Sequence, residues 1–65
     1  MEFIECHERD TGTKLLVPLT KILSIQQNKD LTAFIETHKD FDGNCVGIFT
    51  KELYVELKRQ ILKSA

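Results

Sequence analysis

The spacing of apolar residues changes character at Thr50, and that change restricts the fold more than any other feature. Up to Phe49 the pattern is one of alternation. Ile4 and Cys6 share one face of the first segment, with Glu5, His7 and Arg9 on the other. In residues 31–38, Leu31, Ala33, Ile35 and Thr37 lie on one side and Phe34 on the other. In residues 45–49, Val46 and Ile48 oppose Cys45 and Phe49. A period of two belongs to strands with unlike faces. Beyond Thr50, Leu53, Leu57 and Ile61 recur every four residues with Tyr54 beside them, which is the stripe of an amphipathic helix. The expected fold is therefore α+β: a four- or five-stranded, mostly antiparallel sheet (a meander or partial barrel) closed by one C-terminal helix.

Local chemistry sets the predicted boundaries. Residues 10–13 form a turn around Gly12, and residues 14–17 restart as a strand. Pro18 lacks a backbone donor, which suits a sheet edge or a bend. Ile22 and Ile25 are both expected to be buried in a short strand over residues 22–27. Their spacing of three requires a bulge or bend after Pro18, in preference to a helical turn over residues 19–24. Residues 28–30 are a polar hairpin turn, and Asp42-Gly43 favours a second one. Thr50 is the expected N-cap of a helix over residues 51–63. Glu52 then falls in the first turn and Lys58, Arg59 and Lys63 near the end, as the helix dipole prefers.

A chain of 65 residues is one domain, and a domain this small buries only about 60% of the surface its unfolded chain exposes. Val55 and Leu62 add a second apolar line to the helix, so one thin sheet is a poor match for all of it. A second chain packed there resolves the mismatch. The predicted contact residues are Tyr54, Val55, Lys58 and Leu62, with edge residues of the first strand, in a homo-oligomeric interaction or regulatory module. Charge is also uneven. Residues 1–10 set Glu2, Glu5, Glu8 and Asp10 against Arg9 alone. Lys51, Lys58, Arg59 and Lys63 outnumber Glu52 and Glu56 at the other end.

The alternative role for those four cations is a nucleic-acid contact on a basic helix face. A formal net charge of −1 gives no overall attraction to a polyanion, and the aromatic residues are only Tyr54 and four phenylalanines, most of them needed in the core. No catalytic constellation is predicted. Gly12, Gly43 and Gly47 are scattered, so there is no phosphate-binding loop. Cys6 and His7 point to opposite faces of a strand, leaving too few ligands for zinc with His38 and Cys45. These four are expected to be two core thiols and two surface histidines. The Asp40-Phe41-Asp42-Gly43 run places His38 and Phe49 where a calcium loop needs acids. No metal, cofactor or catalytic residue is therefore assigned. Two reduced thiols and the absence of a basic-then-apolar leader predict a cytoplasmic protein.

Gly12 is followed by Leu15, Val17, Ile22 and Ile25, with Gly43 and Thr50 further on. That order resembles the small β-rich FlbD-like family linked to flagellar gene regulation. In that family a first strand, a glycine turn, an Ile-x-x-Ile pair, a hairpin and a short capped helix follow one another. The resemblance implies a small regulatory or adaptor role and carries no catalytic motif.

Overall fold

A computed structural model describes residues 2–64; Met1, the first residue of the expected opening strand, lies outside them. Strands β1 (Phe3–His7) and β2 (Lys14–Pro18) form an antiparallel pair. A 3-10 turn over Leu19–Lys21 leads to β3 (Ser24–Gln27), β4 (Thr32–Lys39) and β5 (Cys45–Leu53), a three-stranded antiparallel sheet in that order. Helix α1 (Tyr54–Ser64) ends the chain. The α+β expectation is met, but the single sheet is not: five strands divide into sheets of two and three. The two sheets join at one bridge, Glu8 with Thr50, where the Arg9 N–H also donates to the Phe49 carbonyl at 2.8 Å.

The helix starts later than its composition predicts. Thr50 is not an N-cap. It is fully buried in β5, and its hydroxyl donates to the Ala33 carbonyl at 3.0 Å. Lys51, Glu52 and Leu53 are strand residues too, and Leu53 pairs with Thr32 at the start of β4. A strand pairing that spans the whole of β4 outweighs the local helical preference of three residues, because each paired residue satisfies backbone groups that must otherwise be solvated. Leu53 therefore leaves the predicted helical stripe, and Glu52 leaves the first helical turn. Two smaller corrections follow the same logic. The 3-10 turn, rather than a bulge, explains the spacing of Ile22 and Ile25. Leu31 lies outside β4 with a φ of 73° and is exposed, because it completes the reversal after residues 28–30.

The core consists of Ile4 and Cys6 from β1, Val17 from β2, Ala33 and Ile35 from β4, and Leu57 from α1. The period-two reading of β1 is thus correct for Ile4 and Cys6. The side of strand β1 away from β2 is met in part by side chains of β5 and α1. Ladder alternation turns the backbone groups of Ile4 and Cys6 toward β2 and those of Glu5 and His7 away from it. The Gln60 side chain of α1 serves Glu5 as a strand would. Its amide donates to the Glu5 carbonyl and its oxygen accepts from the Glu5 N–H, both at 2.9 Å. The His7 N–H donates to Glu52 Oε1 at 2.7 Å.

Candidate interaction surface

Helix α1 buries Leu57 fully and Tyr54 and Ile61 in part, leaving its far flank uncovered. On that flank Val55 is 52% exposed and Leu62 is 65% exposed. At 100° per residue, Lys58, Leu62, Val55 and Arg59 follow one another around the helix away from the core. Tyr54, Lys58 and Leu62 line an open groove of about 270 Å³ together with Ile61 of α1, Ile22 and Ile25 of β3. Val55 lies beyond its rim. Three of the four predicted contact residues are thus brought together, and the facing wall went unassigned. The signal for that wall was the Ile22–Ile25 pair itself, set between Lys21 and Lys29 with no acid between them.

The four predicted nucleic-acid residues do not share a helix face. Lys51 sits in β5 beside the turn at Gly12, while Lys58, Arg59 and Lys63 are helical. Lys58 belongs to the groove, and only Arg59 and Lys63 occupy the outer surface of α1.

The other polar clusters are structural in design. The Glu52 carboxylate accepts from the His7 N–H and faces His7 Nδ1 at 2.7 Å, fastening β1 to β5 where the two sheets diverge. Burial alone would push the Glu52 carboxyl up, but the side-chain and backbone bonds from His7 prevail and hold it below its ordinary value. A depressed folded value means that the stabilisation is complete above about pH 4.5 and is lost as pH falls through the folded value. Glu52→Ala is expected to cost about 1 kcal/mol at neutral pH, less than a fully buried charged hydrogen bond because His7 is partly exposed. Urea denaturation checks this: the gap from wild type should close below pH 4.5. Beside this pair, burial first and then the Glu52 charge push the Cys6 thiol up to about 11, so it stays protonated at neutral pH.

Glu36 forms the second cluster. Ser24 donates to Oε1 at 2.8 Å, and the Lys39 ammonium lies 3.0 Å from Oε2 without an aligned hydrogen bond. The Ser24 hydroxyl first, and Lys39 next, hold this carboxyl below its ordinary value. Lys39 also approaches Cys45 Sγ at 3.5 Å. Cys45 is exposed rather than a core thiol, and it pairs with Lys39, while His38 pairs with Val46. Among the described residues, no three His, Cys, Asp or Glu side chains are gathered to hold a metal ion, and no helix is long and apolar enough to cross a membrane.

The chain matches no family model, no curated protein and no solved structure.

Proposed function

We propose that this chain is a non-enzymatic protein-interaction module that self-associates through the uncovered flank of α1. The observation that carries the reading is the exposure of Val55 and Leu62 on the only α-helix among the described residues, adjoining an apolar groove. A domain this small has little apolar area to spare, and small domains gain stability by associating. The order of landmarks shared with the FlbD-like family agrees with a small regulatory or adaptor role.

Charge shapes the expected salt response. Glu56, Lys58, Arg59 and Lys63 leave α1 with a net charge of +2, so two such helices repel. Salt screens that repulsion and leaves the apolar contact intact. Self-association should therefore persist or strengthen as salt rises, whereas a nucleic-acid complex should weaken steeply.

Val55→Asp combined with Leu62→Asp is expected to give a folded monomer, because both side chains are exposed in the single chain and neither belongs to its core. Sedimentation velocity with far-UV circular dichroism checks it. A folded double variant that keeps the wild-type mass would remove this flank from the interface.

A further inference from the structure

We propose that the groove between β3 and α1 binds an extended, acidic peptide segment of a partner protein, which adds as a strand to the free edge of β3. The inference rests on the reading of this chain as an interaction module and names the partner that one part of its surface fits. Sheet edges are aggregation hazards, and proteins normally blunt them with proline, charge or a covering element. Strand β1 is covered by β5, Glu52 and Gln60. Strand β2 is blunted on its outer side, where Lys14 supplies a charge and Pro18 lacks a donor. Strand β3, with sequence Ser-Ile-Gln-Gln, has neither device and pairs only with β4.

The Asn28 N–H donates to the Thr32 carbonyl, so ladder alternation directs the backbone groups of Ile25 and Gln27 outward. The side chain of Ile25 lines the groove beside that same edge. Main-chain bonds along an edge, with a pocket for alternate side chains, are the two parts of strand addition. At about 270 Å³ the groove falls below the usual range for small-molecule sites and suits one or two side chains of a peptide.

Charge selects an acidic segment. Lys58 is the one charged side chain that lines the groove, and in sequence Lys21 and Lys29 flank the Ile22–Ile25 wall with no acid between them. The whole chain is −1, so a groove whose only charged lining residue is a lysine differs in sign from the molecule as a whole. Lys58 lines the groove and makes no ion pair among the described residues.

The test titrates two acetylated octapeptides into nitrogen-15-labelled protein, one alternating glutamate with leucine and phenylalanine, the other with lysine in place of glutamate. The expected result is shifted resonances at Ile25, Gln27, Tyr54, Lys58 and Leu62, with slowed amide exchange at Ile25 and Gln27. The lysine peptide should bind about tenfold more weakly, as should the acidic peptide to Lys58→Glu. Gln27→Pro removes a donor from the free edge alone and should weaken binding about tenfold while leaving the solution mass unchanged. Val55→Asp, outside the groove lining, should lower the solution mass if α1 self-associates yet still bind the acidic peptide with protection at Ile25 and Gln27, which separates this proposal from self-association. Equal binding of the two peptides, shifts without exchange protection at Ile25 and Gln27, or no shift at millimolar peptide would overturn it. So would occupation of the β3 edge by a second copy, seen as the same shifts on raising protein concentration alone.

Discussion

Gly47→Ala is expected to abolish the native fold. Gly47 lies in β5 opposite Glu36, and a Cβ built on it would stand 1.8 Å from the Ile35 carbonyl oxygen and 2.8 Å from its carbon. Both atoms belong to the backbone of β4, the central strand of its sheet, so no side-chain rotation relieves the clash. Separation of β4 from β5 would break the most extensive pairing in the molecule, including the ladder on both sides of the register shift between Glu36 and His38. A 65-residue domain holds about 3–10 kcal/mol of net stability. Disruption on this scale exceeds that margin. Circular dichroism and a proton–nitrogen correlation spectrum should show an unfolded chain. Native-like dispersion with an ordinary urea midpoint would mean that β4 and β5 are not this close. Gly43→Ala is the contrasting case, since nothing lies within 4 Å of its Cβ position and only its φ of 82° opposes the change. Its cost should be about 1 kcal/mol.

Leu57→Ala is expected to cost about 2–5 kcal/mol, a large share of the total. Leu57 is the one fully buried side chain among those described in α1, and it joins Ile4, Cys6, Val17, Ala33 and Ile35 in the core. Truncation leaves a cavity that thin sheets cannot close without moving α1 from β1, β4 and β5. The Gln60 amide, which covers the free side of β1 at Glu5, would be displaced with it. Urea denaturation followed by tyrosine fluorescence measures the loss, since Tyr54 begins the same helix. Leu62→Ala, at an exposed position, should stay within about 0.5 kcal/mol in the monomer. Similar losses for the two variants would contradict the placement of the α1 core face.

The element types were legible because period two and period four are set by which faces meet the core. Ile4, Cys6, Ala33 and Ile35 are fully buried, as the alternation requires, although Phe34 and Glu36 on the other face of β4 are buried as well. Tyr54, Leu57 and Ile61 face the core, as the helical spacing requires. What could not be read locally was decided by contacts between distant segments. Thr50 has the side chain of a good N-cap, yet its hydroxyl bonds to Ala33, seventeen residues away. Glu52 suits a first helical turn, yet it is claimed by His7, forty-five residues away. The division into two sheets arises because one backbone bridge, Glu8 with Thr50, links the β1–β2 pair to β5 before β5 turns into α1, and the remaining hydrogen-bonded link is through the Glu52 side chain. Of the interaction surface, the helical half was visible as a surplus of apolar residues. The β3 half was not, because Ile22 and Ile25 look like ordinary core residues until the 3-10 turn places them beside α1.

The most direct test is the solution mass of the wild-type protein, measured by light scattering over a range of concentrations at low and high salt. A flank bearing Val55 and Leu62 predicts a dimer or larger species that persists in high salt. A monomer at every concentration and both salt levels would contradict self-association through α1.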